Sequence, residues 1–267
     1  TIHPIVGSME SKPVVLVTGA AQRIGREIAL ELAAHGWCVA VHYRSSAVAA
    51  AQTVAAVREA GGQAMAFAAD LAVEAECIGL VPAVVEACGR IDAVVNNASL
   101  FEYDDVASFS VATLERAWRA NTAPAVLLAR ALHACIAEGT GRHAVINLLD
   151  QKLWNPNPDY FSYSLSKAAL EAATTMLALA LAPKLRVCGV APGVTMLSGE
   201  MSGSEFDASH RMTPLQRSST PQDVARAVRF LLESPAITGT TLLVDGGQHL
   251  QPQSRDVMFL ARKPKDQ

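Results

Sequence analysis

Residues 13–18, Pro-Val-Val-Leu-Val-Thr, form an unbroken apolar run that enters Gly19-Ala-Ala-Gln-Arg-Ile-Gly25 and then Arg26-Glu-Ile-Ala-Leu-Glu-Leu-Ala-Ala34, closed by Gly36. A short continuous apolar run of this kind suits a strand covered on both faces, the situation inside a parallel sheet. The segment after the glycines has a helical period and a glycine stop. Strand, glycine turn and helix in that order form the context in which a glycine motif holds a dinucleotide. Glycine lets the backbone approach phosphate, and the helix N-terminus adds positive potential. The same turn elsewhere is only a tight connection, so the rest of the chain decides.

The alternation continues. Trp37–Tyr43, Ala64–Ala68, Ile91–Val95, Ala144–Leu149, Arg186–Val190 and Thr240–Asp245 read as strands. Ala47–Ala60, Glu74–Cys88, Thr113–Glu138, the stretch from Tyr163 to Leu181, and Pro221–Glu233 read as helices, with Pro124 predicting a kink in the third. Short connections between alternating elements predict one α/β domain over residues 13–250. Its sheet is expected to be parallel, doubly wound and Rossmann-like, of about seven strands with helices on both faces. Residues 1–12 read as a flexible lead-in. Residues 251–267 read as a polar tail, apolar only over Val257–Leu260, that could cover a neighbouring subunit. Thr195–Thr220 is polar and poorly periodic, and its length suits a lid.

Composition excludes several functions. The 267 residues are 51% hydrophobic and 18% charged, enough for one large core. Twenty-two basic and 25 acidic residues are dispersed, so no block suits nucleic acid and no acidic tail is present. The apolar runs are too short or too interrupted to span a bilayer, and the first dozen residues lack the apolar core of a signal peptide. Cys38, Cys77, Cys88, Cys135 and Cys188 are odd in number and form no Cys-x-x-Cys pair. They read as reduced thiols of a cytoplasmic protein, and nothing points to a metal.

The candidate chemistry lies between Asn147 and Lys167, where an apolar strand crosses a Pro-rich loop into a helix. Tyr163 and Lys167 stand at i and i+4, on one helix face. The ammonium is expected to favour the phenolate and lower the phenol's pKa, making Tyr163 a usable proton donor near neutral pH. Asn96-Asn97-Ala98-Ser99 ends strand four on the edge where open α/β sheets bind ligands, and Phe101 follows. Asn121 is expected to hold backbone or water nearby. At the end of strand two the acidic residue that grips ribose hydroxyls of NAD is replaced by His42-Tyr43-Arg44-Ser45-Ser46. A cation and hydroxyls there favour a 2′-phosphate, hence NADPH, against the alternative of a solvated arginine. Arg23 replaces the usual middle glycine and places a guanidinium near the phosphates or the pocket mouth. Asp70-Leu71 can meet the adenine edge, and Ala191-Pro192-Gly193 turns beneath the nicotinamide position.

Thr18-Gly19-x5-Gly25, Asn96-Asn97-Ala98, Asn121, Tyr163-x3-Lys167 and Pro192-Gly193, in this order, resemble the short-chain dehydrogenase/reductase family from about Pro13 to Leu250. Asp150 stands where that family usually has serine. With Arg23, His42-Tyr-Arg-Ser45 and Asn97-Ala-Ser-x-Phe101, it resembles the pteridine reductase branch, which includes the bacterial dihydromonapterin/dihydrofolate reductases. The resemblance implies NADPH as cofactor, a small pteridine or folate as substrate, and a homotetramer. It implies Asp150, Tyr163, Lys167 and Asn121 as the catalytic set. For the cofactor it implies Gly19, Arg23, Ile24, His42, Tyr43, Arg44, Ser45, Asp70, Leu71, Asn97, Ala98, Ser99, Lys167, Pro192 and Gly193. For the substrate it implies Arg23, Ser99, Phe101, Asp150 and Tyr163, with Phe101 stacked on a flat ring.

In that reading a hydride reaches the carbon of a C=N bond, and Asp150 relays a proton through Tyr163 to the nitrogen. The pKa of Asp150 should rise on burial, with Lys167 opposing the rise. Asp150 could instead cap a helix or pair with Lys152, Phe101 could simply pack on the core, and Trp154 and Tyr160 suit either the pocket or the core. Two competing functions are a carbonyl or 3-ketoacyl reductase of the same fold and an NADP-binding protein without catalysis.

Overall fold

The computed structural model describes residues 12–136, 143–197 and 201–261, so residues 1–11 of the lead-in and 262–267 of the tail lie outside the described residues. Seven strands form one parallel sheet: β1 (Val14–Val17), β2 (Cys38–Tyr43), β3 (Gln63–Ala68), β4 (Ala93–Asn96), β5 (His143–Leu148), β6 (Leu185–Pro192) and β7 (Thr241–Val244). Their order across the sheet is β3-β2-β1-β4-β5-β6-β7. The chain steps outward from β1 in one direction, returns, and steps outward from β4 in the other. The crevice between β1 and β4, at the strands' carboxyl ends, is therefore the expected ligand position.

Nine α-helices are assigned among the described residues: α1 (Arg23–Ala34), α2 (Ala47–Glu59), α3 (Glu74–Cys88), α4 (Val111–Asn121), α5 (Ala123–Cys135), α6 (Phe161–Leu181), α7 (Gly203–Arg211), α8 (Pro221–Glu233) and α9 (Val257–Leu260). The period-two rule for strands divides the core. Val15, Val17, Val39 and Val41 pack with Ile28, Leu32, Val228 and Leu231 on the face covered by α1, α2 and α8. Val14, Leu16 and Ala40 pack with Leu80, Val84, Leu128 and Leu132 on the face covered by α3 and α5. Every residue of β1 is buried, which is why its sequence is apolar without alternation.

The expected elements appear, with three departures. The single helix over Thr113–Glu138 is two helices, broken at Thr122, because Pro124 lacks the N–H that a continuous helix would need and fits the first turn of a new one. The Thr195–Thr220 segment is not a structureless loop. It contains α7, started by a capping box in which Ser202 and Glu205 satisfy each other's backbone N–H groups. The third departure is the tail. Residues 251–261 pack against their own domain, and α9 begins at the Asp256 cap.

Candidate active site

A cavity of about 720 Å³ opens along the carboxyl ends of the strands, from the turn after β1 across β4 and β5 to the segment after β6. Its base is the glycine turn. Gly19 has φ +62°, and a Cβ on Gly25 would lie 2.3 Å from the Gly19 carbonyl oxygen, so the close turn needs both glycines. The Asn97 amide Nδ2 donates to the Thr18 and Gly19 carbonyls at 2.9 and 3.2 Å. Thr18 Oγ1 accepts from the Asn97 and Ala98 backbone N–H groups at 2.9 and 3.0 Å. These bonds tie the end of β4 to the turn after β1. Arg23 sits at φ +56°, a left-handed conformation that costs a non-glycine residue roughly 1 kcal/mol. That is the backbone reason a glycine is usual there. Its guanidinium donates to the Leu197 carbonyl at 3.0 Å, across the cavity mouth.

His42 lines the cavity beside Arg44, but not as a cation. It is 2% exposed, with Nδ1 accepting from the Gly19 N–H at 3.1 Å and Nε2 donating to the Ala69 carbonyl at 3.0 Å. Both bonds need the neutral ring. Burial is the main cause that lowers its pKa, against the Ala69 bond and the Asp70 charge. The folded chain therefore takes the proton less readily than the unfolded chain. Stability is fully present above the ordinary histidine pKa of about 6.5 and is lost as pH falls below it. Thermal melts from pH 7 to about 5 should fall more steeply for wild type than for His42→Asn. Parallel curves would contradict the brace.

Arg44 is exposed at the end of β2 and lines the cavity, and none of the described carboxylates pairs with it. Ile24, Asp70, Leu71, Ala98, Ser99, Pro192 and Gly193 also line the cavity. Tyr43 and Ser45 do not, although they flank it in sequence.

The catalytic candidates meet at the ends of β5 and α6. The Tyr163 hydroxyl donates to Asp150 Oδ2 at 2.9 Å, and both residues line the cavity. Asp150 Oδ1 accepts from the Lys152 N–H at 2.9 Å, so this carboxylate caps the short 3-10 turn over Gln151–Trp154 as well as holding the phenol. Burial raises the Asp150 pKa. The Lys152 amide, the Tyr163 hydroxyl and the Lys152 charge oppose the rise, and the Asp150 and Lys167 charges also act on each other, in the direction the sequence suggested. The Tyr163 phenol is not lowered. Burial, and then the Asp150 charge, raises its pKa well above the ordinary value. Lys167 is 3% exposed and donates to the Leu148 carbonyl at 2.7 Å, with its Nζ 5.8 Å from the Tyr163 ring centre. Burial lowers its own pKa to about 8. The ammonium thus lies behind the phenol, and the proton of the site is held between Tyr163 and Asp150.

Asn121 is a positioning residue. It is 4% exposed and does not line the cavity. Its amide donates to the Leu100 carbonyl at 3.0 Å and to Ser166 Oγ at 2.9 Å, and its oxygen accepts from the Leu100 N–H at 2.7 Å and from Ser99 Oγ at 3.2 Å. Ser166 in turn donates to the Tyr163 carbonyl at 2.7 Å. One buried amide therefore spaces the Ser99–Phe101 segment against the turn of α6 that carries the phenol.

Phe101 is 44% exposed and lines the cavity. One of its faces stacks on Tyr160 at 4.1 Å and its edge relation to Tyr163 is 4.8 Å between centres. Tyr160 is buried in an aromatic cluster and Trp154 is half-exposed, and neither lines the cavity.

Several wall residues were not legible as site residues. Lys152 is 4% exposed and reaches the Asp159 carbonyl at 2.5 Å and Asp256 Oδ2 at 3.3 Å. Asp159, 2% exposed, accepts from Arg255 at 2.7 to 3.0 Å and from the Asp256 N–H at 2.7 Å. Against the upward push of burial, Arg255 and the Asp256 amide keep its pKa below the ordinary carboxylate value. These pairs hold the tail on the β5–α6 loop of the same chain. Asp256, Val257 and Met258 become one cavity wall.

Residues 19–249 match the family described as enoyl-(acyl carrier protein) reductase. Pteridine reductase 1 of Leishmania tarentolae is 36% identical over 280 aligned positions, covering 89% of this chain and 96% of the relative. Two solved structures of FolM alternative dihydrofolate reductase 1 in complex with NADP are each 38% identical. The one from Brucella canis has TM-score 0.83 and covers 90% of this chain and 95% of its own. The one from Brucella suis has TM-score 0.86 and covers 93% and 99%.

Proposed function

This chain belongs to the short-chain dehydrogenase/reductase family, on its pteridine reductase branch, and from that premise we propose that it is an NADPH-dependent reductase of a C=N bond in a dihydropterin or folate-like pteridine. The observation that carries the reading is the Tyr163–Asp150 hydrogen bond, 2.9 Å long, on the cavity wall. A carbonyl reductase needs a neutral hydroxyl to hold an oxygen. A carboxylic acid with a raised pKa can instead supply a proton to nitrogen through the phenol.

The cofactor fits the residues present. The Gly19–Gly25 turn and the α1 N-terminus suit a pyrophosphate. The exposed Arg44 guanidinium suits a 2′-phosphate, with Asp70 and Leu71 at the adenine end. Pro192 and Gly193 line the nicotinamide end. NADPH supplies the hydride to the ring carbon when bound. Tyr163 gives its hydroxyl proton to the adjacent ring nitrogen, and the Asp150 carboxyl returns a proton to the phenolic oxygen. Lys167, with a pKa near 8, keeps positive charge behind the phenol and favours that donation. Phe101 offers its second face to the flat ring, and Arg23 and Ser99 stand at its polar rim.

The reading is tested by following NADPH absorbance with purified protein and a panel of dihydropterins, dihydrofolate and carbonyl compounds. Turnover of a pteridine supports it, and turnover of carbonyls alone overturns it. Arg44→Ala should raise the KM for NADPH about 10- to 100-fold while leaving that for NADH within about twofold, since one charge-assisted contact to phosphate is lost. Equal effects on both cofactors would remove Arg44 from the phosphate site.

A further inference from the structure

We propose that the Lys152–Asp256 ion pair sets the charge balance at the Asp150 carboxyl, and through it the pH range over which Tyr163 delivers its proton. Both are positioning residues, since neither is the donor itself. The inference rests on the pteridine reading above and adds a control on the proton donor of that same site.

The pair stands directly beside the donor. The Lys152 backbone N–H donates to Asp150 Oδ1 at 2.9 Å, and Lys152 Nζ donates to Asp256 Oδ2 at 3.3 Å. Asp256 lines the same cavity as Asp150 and Tyr163. The Lys152 and Asp256 side chains are 5% and 17% exposed, so water and salt screen them little. Taking two charges out of water is costly, and a buried pair is weak evidence of a purely stabilising role. Nor does the tail depend on this pair for its anchor. Arg255 donates to both Asp159 oxygens at 2.7 to 3.0 Å, and the Asp256 N–H donates to Asp159 Oδ2 at 2.7 Å.

Among the described residues, few charges face the Asp150 carboxyl. Its own turn supplies Lys152, α6 supplies the Tyr163 phenol and Lys167, and the tail supplies Asp256. Other charges near that turn are already engaged. Asp159 is closed by Arg255, His249 pairs with Asp245 at 2.7 Å, Asp104 accepts from the Ser162 N–H at 2.8 Å, and Arg23 donates to the Leu197 carbonyl. Asp256 favours the protonated Asp150 carboxyl, and Lys152 favours the ionised one. The Asp256 charge also holds the proton on the Tyr163 phenol. Two groups joined by one contact thus push the donor in opposite directions.

That opposition supplies the test. Removing either partner breaks the same ion pair, yet the two losses act on Asp150 with opposite sign. The pH dependence of kcat is measured with saturating NADPH and a dihydropterin on wild type, Asp256→Asn, Lys152→Met and the double variant. Asp256→Asn should move the descending limb to lower pH by at least about half a unit. Asparagine keeps an acceptor for the Met258 N–H that starts α9. Lys152→Met should move the limb to higher pH by a similar amount, because the backbone N–H that holds Asp150 stays. The double variant should return the limb close to its wild-type position. A pair that only held the tail would shift both limbs alike or neither, and either result overturns the proposal. Wild-type pteridine turnover without a descending limb overturns it too. If one single variant does not fold, the direction of the shift in the other decides. Absence of pteridine turnover by wild type overturns the reading beneath as well.

Discussion

Replacing Tyr163 by Phe should lower kcat with a dihydropterin by about 10²- to 10⁴-fold, the usual weight of a positioned proton donor. The Kd for NADPH should stay within about threefold, because the phenol hydroxyl points to Asp150 and not to the phosphate cradle. Burial and the adjacent carboxylate both hold the proton on the phenol. This is therefore not a phenolate site waiting for a substrate proton but a loaded donor. The substitution also leaves Asp150 Oδ2 without its partner in a buried place, so the carboxyl should protonate still more readily. Stopped-flow absorbance and cofactor fluorescence check the two halves separately. A kcat within a factor of a few of wild type would remove Tyr163 from the chemistry.

Asp150→Ser should reduce pteridine turnover by at least about 10²-fold while NADPH still binds. Serine can hold the phenol hydroxyl, but it cannot reload it with a proton. The pH profile separates the two roles. A proton donor works in its protonated form, so wild-type kcat should fall as pH rises past the pKa of the Asp150–Tyr163 pair, which burial places above the ordinary carboxylate range. The serine variant should lose that descending limb. Stability should move the other way. A carboxyl whose folded pKa is raised contributes stability that is present below its unfolded pKa and lost as pH rises through the folded one. Near neutral pH the ionised form is therefore unfavourable in the fold, and Asp150→Ser should melt higher than wild type, a trade of activity against stability. An unchanged pH profile together with a lower melting temperature would contradict both statements.

The sequence conveys the scaffold well where period and punctuation coincide. The apolar run at Val14–Val17 needs no partner to be recognised as doubly covered. The Thr220-Pro221 start fixes α8, whose capping box and N-terminal proline are local signals. The α7 helix was legible by the same rule, since Ser202 and Glu205 stand three apart, but its polar face hid the period. Tyr163 and Asp150 were paired through the family resemblance, Asp150 standing thirteen residues before the tyrosine where that family usually has serine. What a linear reading could not supply was direction. His42 and Arg44, two residues apart, both line the cavity, yet the His42 ring is buried and turned in to Gly19 and Ala69, while Arg44 is exposed just past the end of β2. The i, i+4 spacing of Tyr163 and Lys167 held, yet the ammonium chose the Leu148 carbonyl, and burial decided the sign of the phenol's shift. The Arg255–Asp159 pair joins residues 96 positions apart, and no local pattern announces such a partner. The wall that the tail builds was invisible for that reason.

The central claim is that this site hands a hydride to carbon and a proton to nitrogen of one ring bond. A single turnover with NADPH deuterated at the transferred position, in ordinary water with a dihydropterin, measures this directly by mass and NMR. The account predicts one deuterium on the ring carbon beside the reduced nitrogen, formed by wild type and strongly diminished in Asp150→Ser. A pteridine recovered without label, alongside a ketone or ketoacyl thioester labelled at its carbinol carbon under the same conditions, would contradict it.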